Sequence, residues 1–391
     1  MAGVPGYLHR IQMSSTDDDN GGGAGETRNL AFKVKSGLVV PTVETRFHDV
    51  KAEGGRSTSL PETVGVSVSI EGNYPFSGFA WADALSWFTW MGAHAGASAA
   101  PTQIAVTTVY KHEHKWPGTA NVFKGSSTEV LGKLSTSDAG QNRLFRNAIV
   151  PEFHITGSRD NPIEFNGSMQ LGGTVTSAGA GTGSLNIITA RLFTFGMVSC
   201  HYHATAGFSG ASPTHGWTAA HVMTTDSDLS TAATAVDLTP YLQSFDIFYN
   251  RRADIPRSKA PGLVDSNGAG IIPDSLDWLE DTNGPDATLE LVFTSTATAE
   301  QSNIAGFPAD KEAGTQRGFE IWIEENTATV VGAILGQKHT FGRVQIIETN
   351  EVERGGGIKD LRVLCRPIYD STLVGGAHLS YTAQHNLTYG A

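Results

Sequence analysis

The chain has 391 residues, of which 17% are charged, 39% hydrophobic and 45 are glycine, with a formal charge of −12. That length suits two or three domains, each able to bury its own core. The excess of 39 Asp and Glu over 27 Lys and Arg repels phosphate backbones and argues against sequence-specific nucleic-acid binding, while the patterned apolar content excludes a disordered chain.

Residues 1–36 read as an N-terminal arm, polar around Thr16-Asp17-Asp18-Asp19-Asn20-Gly21-Gly22-Gly23. Met1 to Arg28 hold no apolar run of signal-peptide length, and no window approaches the ~20 apolar residues of a membrane helix. The expectation is a protein made in a cytosol with no membrane partner.

Residues 37–175 form the first body. Val64, Val66, Val68 and Ile70 alternate with Gly65, Ser67 and Ser69, as in a half-buried strand. A short turn leads to a predicted helix from Phe79 to Met91, with Trp81, Ala84, Leu85, Phe88 and Met91 on one face. Trp87 and Trp90 fall off that face, which leaves two readings: contact with another subunit or a wider buried face. Ile104 to His114 alternate as a strand, and Ile149 to Leu171 read as a hairpin.

Residues 176–235 read as a linker or insert with some β structure. Arg191, Phe193, Phe195, Met197 and Ser199 alternate as one strand face. The second body spans 236–372. Phe245, Ile247 and Tyr249 share a face, as do Leu289, Leu291 and Phe293. Phe319, Ile321 and Ile323 alternate with Glu320, Trp322 and Glu324; Leu361, Val363 and Cys365 alternate with Arg362, Leu364 and Arg366. A helical patch follows Phe293, and a hairpin runs from Phe341 to Pro367 around Gly355-Gly356-Gly357. Residues 373–391 are a polar, aromatic tail, expected to pair with a neighbouring chain.

The two bodies read as one order of elements met twice. Phe47 and Phe245 are 198 residues apart, Phe153 and Val344 are 191, Ser168 and Val363 are 195, and Val68 and Leu291 are 223. A near-constant shift with one longer excursion indicates duplication with a loop insertion.

Chemistry is harder to find. His112 and His114, and His201 and His203, stand at strand spacing i, i+2, yet a zinc site needs a third ligand and neither HExxH nor CxxC occurs. No Gly-x-Ser-x-Gly elbow appears, and Gly92 to Gly96 follow a helix instead of opening one. Glu290, Glu320 and Glu324 on strands are the sort of carboxylates a glycosidase uses, but exposed strand positions are often acidic. A bridge between Cys200 and Cys365 stays open, with the alternation placing Cys365 on a core face. No enzyme, cofactor or metal site is expected.

The run Pro61 to Gly72 leading into Trp81-Ala82-Asp83-Ala84-Leu85, together with Tyr241-Leu242-Gln243-Ser244-Phe245-Asp246-Ile247-Phe248-Tyr249-Asn250, resembles the tail tube proteins of long-tailed bacteriophages (siphophages). The resemblance covers residues 37 to 372. It implies a mainly β fold of two tandem tail-tube-type sandwich or barrel units, each flanked by a short helix. It also implies a virion structural protein, three chains per ring, with rings stacked helically into the conduit for genome DNA ejection. The implied partners are further copies of the chain, the tail terminator, tape measure and distal tail proteins, and DNA passing without specific binding; the implied place is the virion tail, assembled in the host cytoplasm. Within this family the loops after the first strand of each unit bridge rings, which makes Lys51, Glu53, Arg56, Arg251, Arg252, Asp254, Arg257 and Lys259 inter-ring candidates. Long hairpins form the inner wall, which makes Glu152, His154 and Glu164 lumen-facing candidates; Arg343, Arg362 and Arg366 would pair with carboxylates of the neighbouring unit. The competing classes are a secreted β-sandwich that binds or cleaves carbohydrate, with Trp87, Trp90, Trp217 or Trp322 as stacking platforms, and another virion protein such as a terminator or decoration subunit.

Overall fold

In a computed structural model the structure describes residues 9–13, 30–31, 36–37, 42–50, 62–71, 73–82, 85, 89, 102–103, 109–116, 126–132, 143–177, 186–187, 191–204, 235–250, 253–254, 279–280, 286–294, 301–325, 334–353, 359–368 and 379–385. In chain order the strands are β1 (His9–Met13), β2 (Leu30–Ala31), β3 (Ser36–Gly37), β4 (Thr42–Val50), β5 (Glu62–Glu71), β6 (Asn73–Phe79), β7 (Thr102–Gln103), β8 (Tyr110–Trp116), β9 (Ser126–Gly132), β10 (Arg143–Ser158) and β11 (Glu164–Ser177). They continue with β12 (Asn186–Ile187), β13 (Val198–His203), β14 (Ala235–Asp237), β15 (Leu242–Asn250), β16 (Ala253–Asp254), β17 (Leu279–Glu280), β18 (Asp286–Thr294), β19 (Gln316–Glu324), β20 (Gly336–Glu353), β21 (Lys359–Pro367) and β22 (Leu379–His385). Helix α1 (Gln301–Ala313) lies between β18 and β19.

The fold is mainly β, as the alternation predicts. Among the described residues eighteen strands join in one hydrogen-bonded system, antiparallel except for the two-residue pair of β2 with β12. Its main run is β3–β6–β11–β10–β15–β18–β21–β20–β19–β13–β14. Two ribbons stand apart from it, β4 with β5 and β16 with β17.

The period of two decides which face is core. Phe153 and Ile155, Phe165, Ile247 and Tyr249, Leu289, Leu291 and Phe293, and Val363 and Cys365 are all buried, and their sequence neighbours point the other way. Phe76, Phe153 and Phe165 pack with ring centroids 6.1 to 6.4 Å apart. Helix α1 closes the far end of the core. Its Phe307 lies 5.3 Å from Tyr202, 5.8 Å from Phe319 and 6.0 Å from Phe293, joining β13, β19 and β18. Arg317 of β19 fixes the helix by donating from Nε to Asp310 at 2.8 Å. Gly314, at φ +65°, ends α1 in the left-handed conformation that a side chain would disfavour.

The two hairpins predicted from sequence exist as β10–β11 and β20–β21. Several other expectations are corrected. Phe79 closes strand β6, so the helical residues begin later; Ala82, Leu85 and Thr89 are helical and buried, and Leu85 N–H donates to Trp81 O at 2.8 Å. Val64–Ile70, matched from the sequence with Leu291 through Val68, lies in the β4–β5 ribbon, and the strand beside β11 is β6. Pro75 and Gly78 make β6 read as a turn, yet both fit. Pro75 lies beyond the two positions that β3 covers, and Gly78 makes room for Phe165, whose Cζ would stand 2.4 Å from an added Cβ. Phe195–Met197 form a turn of 3-10 helix, which breaks the alternation expected from Arg191 to Ser199; the strand starts at Val198 and buries Cys200 and Tyr202. The tail strand β22 pairs within its own chain, with β20 and β8. Both cysteines are free and buried, and burial pushes both thiols far above their usual range.

Gly167 of β11 stands opposite Phe153 of β10. An added Cβ would lie 2.4 Å from the Glu152 carbonyl oxygen and 2.9 Å from the Phe76 ring. A backbone atom in a paired strand has little room to yield. Gly167→Ala is expected to destabilise the chain by about 1–3 kcal/mol, read as a lower denaturation midpoint; an unchanged midpoint would contradict the packing described.

Candidate functional site

The outward face of β10, β11, β15, β18, β21 and the distal half of β20 collects the charges. Glu152 is exposed, and His154 and Glu164 are half-buried, on the side opposite the buried Phe153, Ile155, Ile163 and Phe165. The three lumen-facing candidates therefore share one surface. Pairing adds Asp246 from β15, Asp286 and Glu290 from β18, and Glu348 from β20, against Arg362 and Arg366 from β21. Among the described residues named here, six carboxylates stand against two guanidinium groups, which gives this surface a negative field.

Local pairing moderates that field. Asp246 stands directly opposite Glu290, a like-charge pair that costs stability. Asp246, Asp286, Glu290 and Glu348 each turn to a His or Arg side chain. His154 Nδ1 lies 3.1 Å from Asp246 and its ring stacks on Phe248 at 4.2 Å. Arg362 donates to Glu290 at 2.6 Å and to Glu348 at 3.2 Å, and Arg366 lies 3.3 Å from Asp286. These ion pairs are half-exposed, so each is worth at most about 1 kcal/mol. The partners of Arg362 and Arg366 come from β18 and β20 of the same body, which corrects the expectation of cross-unit pairs. Arg343 is half-buried farther back on β20. At the hairpin end a polar groove of about 410 Å³ is lined by Thr156, Ser158, Asn161 and Glu164, among others.

A second polar cluster is buried. Glu320 of β19 and Lys338 of β20 are 0% and 1% exposed and meet at 2.9 Å. His203 Nε2 lies 3.5 Å from the same carboxylate, the Lys338 ammonium lies 5.3 Å from the centre of the Trp322 ring, and His201 packs 4.4 Å from Trp322. Burial raises the Glu320 pKa, but Lys338 and His203 outweigh it and hold the carboxyl down at about 2. Burial also lowers the pKa of His201. So the histidine pair noted in the sequence does meet a carboxylate, but Lys338 fills the cation's place. Among the described residues no group of three His, Cys, Asp or Glu is placed to hold a metal ion. Trp322, at 7% exposure, offers no stacking platform. Sequence reasoning placed Glu320 and Trp322 on an open face; Lys338, sixteen to eighteen residues along the chain and paired opposite Trp322, carried no local signal.

Other candidates lie outside the described residues: Lys51, Glu53, Arg56, Arg251, Arg252, Arg257, Lys259, Trp87, Trp90 and Trp217. Asp254 lies in the β16–β17 ribbon. Compared with protein-family models and with curated proteins, the chain matches none.

Proposed function

We propose that this chain is the subunit of a bacteriophage tail tube, with two tube units in tandem, three chains to a ring, and stacked rings enclosing the path of the genome. The observation that carries the proposal is an order of pairing that occurs twice. The first series is β3–β6–β11–β10, with the β4–β5 ribbon between its first two strands and helical residues after β6. The second is β15–β18–β21–β20, with the β16–β17 ribbon between its first two strands and α1 after β18. Glu164 and Asp360 hold matching places 196 residues apart, and Phe76 and Leu291 hold matching places 215 apart. These matches replace the pairing of Phe47 with Phe245 read from the sequence.

The two series are joined edge to edge by β10 and β15. One sheet therefore carries both hairpins and presents a single acidic face. Lining a conduit with such a face repels the DNA backbone and limits sticking during passage. The ribbons follow the first strand of each proposed unit in chain order, as do the loops proposed for contacts between rings. Terminator, tape measure and distal tail proteins are the partners that go with this role, in a tail assembled in the host cytoplasm.

Negative-stain microscopy of the purified, concentrated chain tests the proposal. Rings or tubes with six lobes around an open centre are expected. A chain that stays monomeric at every concentration, or that forms only unclosed aggregates, would sink it.

A further inference from the structure

The polar groove at the end of the β10–β11 hairpin is lined by one kind of chemistry. Thr156 and Ser158 of β10, Glu164 of β11 and Ser244 of β15 meet there with Asn161 of the connecting turn. The strand register brings them together: Thr156 stands opposite Glu164, and Ser158 opposite Ser244. Asn161 Nδ2 is spent inside the turn, donating to Ser158 Oγ at 2.9 Å and to the Arg159 carbonyl at 3.2 Å. Its Oδ1 remains as an acceptor. The groove thus offers one carboxylate, one amide oxygen and three hydroxyls, and among the described residues no Lys, Arg or His lines it. Such a set repels anions and suits a cation. The row that starts at Glu164 adds to that preference, since it continues across the sheet through Thr156 to Asp246 and Glu290.

We infer that this groove binds a divalent metal ion of the magnesium type, with most of its water shell kept. Oxygen ligands select hard cations over zinc or copper. Magnesium is held by one or two carboxylates and gives up its waters reluctantly, whereas calcium takes six to eight direct oxygens, more than this lining brings together. Six waters at liquid density fill about 180 Å³, and the groove holds about 410 Å³. Glu164 supplies the charge, and the hydroxyls and Asn161 Oδ1 accept hydrogen bonds from the ion's waters. A site with one carboxylate also agrees with the lack, among the described residues, of any group of three His, Cys, Asp or Glu placed around a metal.

The wall that carries Asn161 is fixed on both sides. Arg159 N–H donates to the Gln243 carbonyl at 3.0 Å, Asn161 N–H to the Ser158 carbonyl at 3.2 Å, and Phe195 N–H to the Asn161 carbonyl at 3.2 Å. Asp160 holds a φ of +65°, which few residues other than glycine adopt. A wall already in place lowers the ordering cost of binding. The inference stands on the groove alone and goes beyond the tube reading without depending on it.

Manganese titration tests the site. The full chain is titrated with Mn²⁺, a stand-in for magnesium whose free form is counted by electron paramagnetic resonance, in about 0.15 M KCl to screen diffuse attraction. One ion per chain is expected, with a Kd of about 0.1–1 mM, displaced by Mg²⁺. Glu164→Gln is expected to weaken binding at least about tenfold, and Asn161→Ala, on the exposed turn, about threefold. Glu351→Gln removes an exposed carboxylate of β20 and is expected to leave the affinity unchanged. Denaturation midpoints show which variants are folded; if Glu164→Gln does not fold, Asn161→Ala and Ser158→Ala carry the test. No saturable binding below about 10 mM would overturn the inference, as would binding that none of these groove variants weakens. Many weak ions per chain, lowered equally by Glu164→Gln and Glu351→Gln, would mark a diffuse counterion cloud and overturn it too. Bound Mn²⁺ that Mg²⁺ does not displace would mean imidazole ligands elsewhere and count against it in the same way. Ring formation is read in a separate sample, so loss of the metal site and loss of the tube are distinct results.

Discussion

Lys338→Met is expected to destabilise the chain by about 3–5 kcal/mol, because it leaves a buried carboxylate without its cation. Glu320 is 0% exposed, with Lys338 at 2.9 Å and His203 at 3.5 Å. With the ammonium gone, the buried charge loses its closest cation. The pair joins β19 to β20 at the point where β13 packs on the other side, so its loss loosens three strands together. The double variant Glu320→Gln with Lys338→Met removes both charges and is expected to recover most of the loss, since replacing a whole buried pair is often neutral. Chemical denaturation of the single and double variants measures this. A single variant within about 1 kcal/mol of the parent would show that the pair carries little of the strand packing.

Stability is expected to fall steadily as the pH drops below about 6.5. His339 is buried at 0% exposure, receives or donates one hydrogen bond with Tyr249 at 2.8 Å, and is pushed down by burial to about 3. The unfolded imidazole takes a proton near 6.5, so between 6.5 and about 3 the unfolded chain binds one proton that the folded chain refuses. That contributes a slope of about 1.4 kcal/mol per pH unit in favour of unfolding. Glu320 acts in the same direction at lower pH. Its stabilisation is full above 4.5 and is lost as the pH falls through about 2. Denaturation midpoints from pH 7.5 to 4 are expected to decline, and His339→Gln, which keeps a partner for Tyr249, is expected to flatten the upper part of that decline. A parent protein with equal stability at pH 7 and pH 5 would contradict this.

Alternation carried most of what the sequence made legible. Phe153 and Ile155 against Glu152 and His154, and Val363 and Cys365 against Arg362 and Arg366, locate both hairpins and the open charged face correctly, because a period of two needs no knowledge of partners. Strand β6 was hidden by residues with strong turn character whose real roles are set by neighbours. Gly78 is small because the Phe165 ring occupies the space a side chain would take. The Glu320 cluster was hidden for a similar reason. Polar alternation marks a face as polar, and only pairing with Lys338 and His203 shows that the face is buried. The place of β22 beside β20 and β8 depends on contacts between residues 40 to 48 positions apart in the first case and more than two hundred and sixty in the second, which no local pattern records.

The proposed repeat reads in the sequence as an order of elements, in a register that the strand pairing does not follow. Phe47 and Phe245 are similar in their surroundings along the chain, but Phe47 lies in the β4–β5 ribbon and Phe245 in the main run. Strand pairing assigns the place matching β15 to β3, of which only Ser36 and Gly37 are described. A two-residue strand offers no periodicity to read, so the sequence match slid to the nearest alternating run.

On the proposed tandem reading, the number of chains in a ring is measurable without any variant. Native mass spectrometry of isolated rings, with rotational symmetry read from images of the same sample, is the measurement to make. Three copies of the 41.4 kDa chain, about 124 kDa, with six similar lobes around the pore, are expected. Six chains in a ring of six lobes would mean that each chain supplies one unit, and would contradict the tandem organisation proposed for β3–β6–β11–β10 and β15–β18–β21–β20.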